Sequence, residues 1–361
     1  EEMERGCPHL PLGCRIILEP KAKEYIMSNI RSAMQRFTAR KVITLVQNFE
    51  RNHSVPLSLA SFVRIYQLPL DKIYKGRTWN QLLYEAGLRP EQSGYNEELS
   101  RAVFRKWLAT DSHSYLSFIE RLAGLSFKVI VSEMNVLDQK RLLMFYYDMF
   151  ENAGRFDSLQ QMVDELSKDA ILCAELREVL PLLLQESKAY EMADNSQLPD
   201  FPLKLHGVYT KAQIQVALGT STLARKSPAR EGVERNKELR VEAMFVDIIK
   251  NREEGSTTNY DDKALSPYLF QWDTQNRVKP ESKEGQAYIN QTQTMLLFVR
   301  EQKNFVEDKS RTMGYVYLGR VMLNSWVYKN LGTRMQMQIR WNMVEPIPGS
   351  VMHFARIKEI A

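Results

Sequence analysis

The chain has 361 residues, 44% hydrophobic and 26% charged with mixed signs, which corresponds to about two folded domains and argues against wholesale disorder. No apolar run approaches the ~18 residues of a membrane span, and the polar opening does not resemble a secretory signal. The odd number of three cysteines argues against a disulfide scaffold. We therefore expect a cytoplasmic protein without membrane contacts, and a fragment of a longer protein, since the sequence does not begin with methionine.

Charge is distributed unevenly along the chain. Residues 1–199 hold 25 Lys and Arg against 26 Asp and Glu, whereas residues 200–361 hold 24 against 18, a difference of +6. A basic C-terminal half is compatible with a polyanionic partner, although many soluble domains carry a similar charge.

Motifs that several classes of enzyme require are absent. The sequence contains no G-x-x-x-x-G-K-[ST] phosphate loop, no H-x-K motif of a phospholipase-D-type nuclease, and no H-E-x-x-H or G-x-S-x-G. Cys7, His9 and Cys14 supply only three possible zinc ligands in a proline-crowded segment, and we favour an ordinary loop there. We expect no enzymatic activity, metal or cofactor in this chain.

The first half has the periodicity of helices. Apolar residues recur at helical spacing from about residue 20 to residue 190, as at Val42, Leu45 and Val46. This pattern predicts seven to ten helices. Two prolines and several turn-forming residues in segment 192–204 then indicate a domain boundary.

One part of the helical region allows a second interpretation. Residues 58–88 fit two ordinary packed helices, which we favour, or a helix-turn-helix motif. In the second case Lys72, Lys75 and Arg77 would contact phosphates.

The second half has strand patterns after one short helix, which Thr210 caps and Gly219 ends. Residues 225–240 are polar and typical of a loop. Continuous apolar runs predict strands buried on both faces, two further runs predict a pair of strands around Gly319, and alternation predicts a last strand with one polar face. These segments are, in order, Met244–Ile249, Met295–Val299, Tyr315–Leu318, Val321–Tyr328 and Met335–Met343.

The fold class that we predict is therefore α+β. An all-helical domain at residues 1–198 precedes a mainly β domain at residues 199–361, in which a curved sheet or barrel carries one or two helices.

Hydrogen-bonding side chains and large rings are concentrated between residues 256 and 276. Such a mixture suits a planar polar ligand, because rings offer stacking faces while carboxylates and carboxamides recognise donor and acceptor patterns. The alternative, which composition alone favours, is a short helix that Thr258 or Asn259 caps and that buries Leu265, Leu269 and Phe270.

The C-terminal half resembles the domain of unknown function that ends bacterial superfamily-two helicase fusions, many of which begin with a phospholipase-D-type nuclease. The helical half is similar to the segment that follows the motor in those proteins. Eight ordered pieces carry the resemblance: Leu205-His206-x-x-Tyr209-Thr210, Arg230-Glu231-Gly232-Val233, Thr257-Thr258-Asn259-Tyr260-Asp261-Asp262, Leu269-Phe270-x-Trp272-x-x-Gln275-Asn276, Gly285-x-x-Tyr288-Ile289, Leu297-Phe298-Val299-Arg300-Glu301, Tyr317-Leu318-Gly319 and Ile339-x-Trp341 with Pro346-Ile347-Pro348 after it. Arg334 before the last strand and Asp273 after the tryptophan depart from the family pattern, which puts ligand preference in doubt.

The resemblance implies a role in type IV, modification-dependent restriction, a form of phage defence. The C-terminal domain would be a PUA-like, SET-and-RING-associated-like reader of 5-methylcytosine in double-stranded DNA. The helical half would couple that reader to the protein's own helicase and nuclease domains and support a homodimer. ATP and Mg would belong only to those missing domains, so this chain would bind DNA without cutting it.

Within this interpretation the candidate base-binding residues have three roles. A ring stacks on a base turned out of the helix, a carboxylate accepts from its amino group, and a carboxamide donates to its carbonyl or ring nitrogen. The candidates are Tyr260, Phe270 and Trp272 for stacking, Asp261 and Asp262 for accepting, and Gln275 and Asn276 for donating. Candidate contacts to the DNA backbone are Arg225, Lys226, Arg230, Arg252, Arg277 and Lys279.

Two other hypotheses remain open at this point. In one the chain is an adaptor whose C-terminal domain docks protein or RNA without methyl specificity. In the other a hydrolytic site lies around Asp261, Asp262 and Glu284.

Overall fold

A computed structural model describes residues 39–228, 232–250, 260–275, 278–330 and 335–356 of the chain. In the described part of the first half, helices follow one another as the periodicity predicts. They are α1 (Ala39–Gln47), α2 (Phe49–Asn52), α3 (Leu59–Tyr66), α4 (Leu70–Tyr74), α5 (Trp79–Glu85), α6 (Asn96–Arg105), α7 (His113–Gly124), α8 (Val136–Met149), α9 (Leu159–Ser167) and α10 (Ala170–Glu186).

Side-chain caps fix where several helices begin. Ser58 and Thr78 form capping boxes with Ser61 and Gln81, so that exposed amide groups of α3 and α5 gain partners. In the second half Thr210 caps α11 (Lys211–Ala217) in the same way, which confirms the helix predicted there.

The second half is one mixed sheet with two further helices, α12 (Lys283–Ile289) and α13 (Gly349–Arg356). The strand order among the described residues is β2-β3-β6-β7-β8-β5-β4, and β1 pairs with β7. The strands are β1 (Val208–Tyr209), β2 (Val233–Asn236), β3 (Val241–Ile249), β4 (Lys263–Ser266), β5 (Leu269–Asp273), β6 (Thr294–Gln302), β7 (Tyr315–Asn330) and β8 (Met335–Met343).

This arrangement confirms the α+β class and makes the sheet open rather than a closed barrel. Strands β2 and β4 stand at opposite ends of the order, and no pairing joins them in the described residues. Strand β2 lies inside the polar segment 225–240, where we expected only a loop, because its hydrogen bonds to β3 come from the tertiary fold.

The two continuous apolar runs are buried on both faces, as predicted. Parallel strands β3 and β6 direct Phe245 and Phe298 into a core that they share with the helical region. On the opposite face Val246 and Val299 enter a second core inside the sheet. The helical region therefore packs on one face of the sheet, and the predicted division at residues 198 and 199 stays a prediction.

Two predictions for the second half are wrong. The runs around Gly319 form one strand, β7, in which a bulge with φ +84° at that glycine replaces the expected break. The short helix expected to bury Leu265, Leu269 and Phe270 is a hairpin of β4 and β5 instead, because Leu269 and Phe270 pair with Asn342 and Trp341 of β8. Its expected caps, Thr258 and Asn259, lie outside the described residues.

The segment between the halves is attached to the sheet. Met192 and Leu205 pair by their backbones, and the Asp194 carboxylate accepts a 2.8 Å hydrogen bond from the Tyr317 hydroxyl. The first pairing closes the segment on itself, and the bond to Tyr317 attaches it to β7.

The basic residues of the considered helix-turn-helix motif all lie near carboxylates of the protein. Lys75 Nζ is 2.7 Å from Asp308 Oδ2, and Arg77 contacts Glu85 at 3.1 Å. Lys72 is 4.0 Å from the carboxylate of its neighbour. These pairs favour ordinary helix packing in this segment.

Candidate functional site

The polar face of β5 carries the candidate site. In the sequence Leu269-Phe270-Gln271-Trp272-Asp273, alternation directs Phe270 and Trp272 into the core inside the sheet and Gln271 and Asp273 to the other face. Residues 260–262 pass over that second face and cover Asp273, which is 4% exposed.

Asp273 is the best satisfied group of this face. Its carboxylate accepts hydrogen bonds from Gln336 Nε2 and Gln338 Nε2, both at 2.9 Å, and from the Asp261 amide at 2.7 Å. These three hydrogen bonds, two of them from buried carboxamides, fix the position of the carboxylate.

Gln271, on the same face, also binds Asp261, whose side chain remains accessible to solvent. Gln271 Nε2 donates to the Asp261 carbonyl at 3.0 Å and to its Oδ2 at 2.9 Å, and Lys263 Nζ lies 3.3 Å from Oδ2. The side chain is 45% exposed, and Oδ1 accepts no hydrogen bond from the described residues. The carboxylate therefore has a fixed orientation and one unused acceptor.

Asp262 has a structural role. Its Oδ2 pairs with Lys250 Nζ at 2.8 Å, and its Oδ1 accepts from the Asp273 amide at 2.8 Å. Burial raises the pKa of the Asp262 carboxyl, while the Lys250 ammonium opposes that rise. Both oxygens are thus occupied by protein groups.

The predicted stacking rings occupy two different environments. Tyr260 is half-buried, and the Lys250 ammonium lies 4.0 Å from the centre of its ring. Phe270 is fully buried, and Trp272 packs edge-on against Tyr288 with the ring centres 5.5 Å apart. Tyr260 is therefore the one of the three that lies outside the core, and core packing accounts for the other two.

The remaining candidates are dispersed along the chain. Gln275 is half-buried just after β5, and Lys279 is exposed in the turn before α12. Arg225 is exposed, whereas Lys226 Nζ donates to the Glu151 carbonyl of the helical region at 2.6 Å. Four candidates lie outside the described residues, as do the three possible zinc ligands: Asn276, Arg230, Arg252, Arg277, Cys7, His9 and Cys14.

Sequence reasoning missed most of the groups that support Asp261. Gln336 and Gln338 belong to the predicted polar face of β8, yet they are buried, at 3% and 4% exposed, and donate to Asp273. The alternation itself was the available signal, since it placed both carboxamides on one face. Lys250 carried no signal because its partner Asp262 is distant in the chain.

Acidic residues of this region do not form a metal site in the described part of the structure, where no group of three or more His, Cys, Asp or Glu could hold an ion. Glu284 of the considered hydrolytic site pairs with Arg235 at 3.6 Å. In the same part of the chain, no helix is both long and apolar enough to cross a membrane.

This α+β protein consists of a helical region packed on an open mixed sheet. The polar face of the sheet carries the Asp273 carboxylate, which three hydrogen bonds hold in place. Residues 203–354 match a family described as a domain of unknown function, DUF3427. That match spans the sheet, the site and α12, and it ends within α13.

Solved structures give a weaker comparison. Two crystal forms of Arabidopsis thaliana SUVH6 in complex with SAM align at 12% identity over 66% of this chain, with TM-scores of 0.28 and 0.26. This chain spans about two fifths of the SUVH6 chains, 40% and 39%. At these values the likeness carries no argument about function. A search of curated proteins found no match.

Proposed function

We propose that residues 203–354 bind double-stranded DNA that carries a modified cytosine, with 5-methylcytosine as the first candidate. The base would be turned out of the helix and held at Tyr260 and Asp261. The observation that carries this proposal is the half-exposed Asp261 carboxylate, which Gln271 and Lys263 orient and which directly follows the half-buried Tyr260 in the chain.

The chemistry of cytosine matches this arrangement. Its exocyclic amino group is a donor and needs an acceptor, which Asp261 Oδ1 offers. Turning out the base costs a few kcal/mol, and stacking on one ring returns ~1–3 kcal/mol. Tyr260 is the candidate for that ring.

The methyl group by itself gives modest discrimination. Placing it in an apolar environment is worth about 0.8 kcal/mol, or roughly fourfold in affinity. A larger preference requires a shaped pocket, to which Gln275 would add a donor for the ring nitrogen or carbonyl.

In the wider proposal this chain is the target-recognition part of an ATP-dependent, modification-dependent restriction enzyme of bacteria. The helical region would transmit binding to helicase and nuclease domains and support a homodimer. Its packing against β3 and β6 through one continuous core supports such coupling. The chain itself would bind and not cut, in the cytoplasm.

The test is a fluorescence-anisotropy titration of the full chain with matched duplexes that differ in one cytosine or 5-methylcytosine, at two salt concentrations. We expect a preference of at least tenfold for the methylated duplex. Asp261→Ala should bring this ratio close to one, whereas Asp157→Ala, the same charge change on the helical region, should leave it unchanged.

Two results would overturn the proposal. Equal and steeply salt-dependent binding to both duplexes would leave only nonspecific DNA binding. Absence of binding to either duplex would favour the adaptor hypothesis, in which the domain docks protein or RNA.

A further inference from the structure

The hairpin of β7 and β8 extends beyond the strands that flank it. β6 pairs with β7 only as far as Val321, and β5 pairs with β8 only as far as Gln338. In the described residues β7 therefore has an unpaired edge from Met322 to Asn330, nine residues or about 30 Å at ~3.3 Å per residue.

This end of the hairpin exposes large apolar side chains. Met322, Trp326, Val327 and Met335 are between 37% and 51% exposed. The other four tryptophans of the chain, in contrast, are at most 5% exposed. Exposed apolar side chains beside a free strand edge are typical of an interaction surface.

The charge of the hairpin is entirely of one sign. Residues 315–343 contain four Lys and Arg and no Asp or Glu. Lys329 and Arg340, which lie on this hairpin, pair with no carboxylate among the described residues. A polyanion is the partner that such a surface fits best.

Polar groups on the hairpin distinguish DNA from a lipid surface. Asn324, Ser325 and Asn342 are exposed between the apolar side chains. Asn324 Nδ2 donates to Asn342 Oδ1 at 3.0 Å and the Ser325 hydroxyl to Asn324 Oδ1 at 3.1 Å, whereas Asn342 Nδ2 donates to no group among the described residues. In lipid that donor would stay without an acceptor at an energetic cost, whereas phosphates and base edges offer acceptors.

We propose that the end of this hairpin lies in the major groove of duplex DNA, with Lys329 and Arg340 on phosphates and Trp326 against the groove wall. The major groove is ~12 Å wide and admits a two-stranded β-ribbon. This inference rests on the proposed function and adds a second contact region to it.

The hairpin is continuous with the candidate site. β8 carries Gln336 and Gln338, which donate to Asp273, and Asp273 in turn accepts from the Asp261 amide. A hairpin in the groove would therefore bring the Asp261 carboxylate towards the same duplex.

Trp326 is a natural probe for this contact. In the free chain, acrylamide should quench mainly Trp326, because the other tryptophans are buried. Saturation with duplex DNA should protect it, and Trp326→Phe should abolish the change. Vesicles of neutral and anionic lipids are the comparison, and protection by vesicles but not by DNA would overturn the inference.

Charge variants test the phosphate contacts independently. Lys329→Ala with Arg340→Ala should weaken binding of the methylated and unmethylated duplexes by the same factor of about tenfold, and should reduce the slope of log affinity against log salt by roughly 2. Arg64→Ala with Lys128→Ala removes two exposed cations from the helical region and should change neither quantity.

The outcomes separate the two proposals. Failure of the wild-type chain to bind DNA overturns both. Methyl-selective binding that the hairpin variants leave unchanged, with Trp326 still open to acrylamide, overturns only the hairpin contact. Unselective binding that depends on Lys329 and Arg340 supports the hairpin and overturns the base-reading site.

Discussion

The side chain of Asn195 lies directly against the α-carbon of Gly319. A Cβ at position 319 would be 2.5 Å from Asn195 Oδ1, which accepts a 2.8 Å hydrogen bond from the Arg320 amide. The glycine also has φ +84°, where L-residues are strained. One residue of β7 thus determines how the segment between the two halves attaches to the sheet.

Gly319→Ala should therefore destabilise the protein for two reasons. The left-handed backbone costs roughly 1–2 kcal/mol, and displacement of Asn195 leaves the half-buried Arg320 amide without its acceptor at a further ~1 kcal/mol or more. Gly76→Ala is the matched control, because Gly76 has φ +79° and a Cβ added there would have no atom within 4 Å. Urea unfolding should show a clearly larger loss at 319, and equal losses would contradict a role for Asn195.

Asp148 should give the folded protein a specific pH dependence. Its fully buried carboxylate accepts from Trp107 Nε1, the Tyr115 hydroxyl and Gln213 Nε2. Burial raises its pKa from 3.8 to about 6, although those three hydrogen bonds oppose the rise. The native state then holds the proton more tightly than the unfolded state does.

Because the native state binds this proton more tightly, the free energy of unfolding falls as the pH rises. The contribution of Asp148 to stability is largest below pH 4 and is lost as the pH rises through about 6, by about 3 kcal/mol. Asp148→Asn cannot ionise, so its unfolding free energy should lack this component. Urea titrations of both proteins between pH 4 and pH 7.5 measure the difference, and parallel curves would refute the assignment.

Lys250→Met should leave Asp262 as a buried carboxylate without a cation. We expect a loss of about 2 kcal/mol at pH 7.5, less than for a fully buried pair, because the Lys250 side chain is 33% exposed. Loss of the ammonium raises the pKa of Asp262 further, so the deficit should shrink as the pH falls and the carboxyl takes up a proton.

Lys263→Met provides the comparison for that variant. Its partner Asp261 is half-exposed at 3.3 Å, and such pairs contribute at most ~1 kcal/mol. Similar losses for the two lysine variants in urea unfolding would contradict the assignment of Asp262 as the buried, structural carboxylate.

Gln338→Leu should test how strongly the polar face depends on its buried carboxamides. It removes one of three donors to Asp273, and we expect a loss of ~1–3 kcal/mol in the free energy of unfolding. Asn342→Leu changes an exposed carboxamide on the same strand and should cost less than ~0.5 kcal/mol. If Gln338→Leu left the free energy of unfolding unchanged, water would have to replace the lost donor to Asp273.

Much of the fold was accessible from the sequence because local patterns determine it. Helical spacing predicted the first half, and the apolar runs of β3 and β6 predicted strands buried on both faces. The alternation of Met335–Met343 predicted β8. Each of these segments has one strong period and does not need its neighbours to be recognised.

The β4–β5 hairpin shows where local patterns were insufficient. Leu265, Leu269 and Phe270 have a spacing that suits a helix turn, but pairing of β5 with β8 supplies hydrogen bonds that override this preference. The same holds for Gly319, where a bulge lets one strand continue through a residue that resembled a break.

The candidate site was likewise predicted only in part from the sequence. The sequence by itself determined that Tyr260, Asp261 and Asp262 lie in a polar, aromatic segment suited to a planar ligand. Only the tertiary structure decided that Gln271 and Lys263 orient Asp261, that Lys250 neutralises Asp262, and that Gln336 and Gln338 hold Asp273. Periodicity shows which side chains share a face of a strand, but the burial of that face depends on the distant segment that covers it.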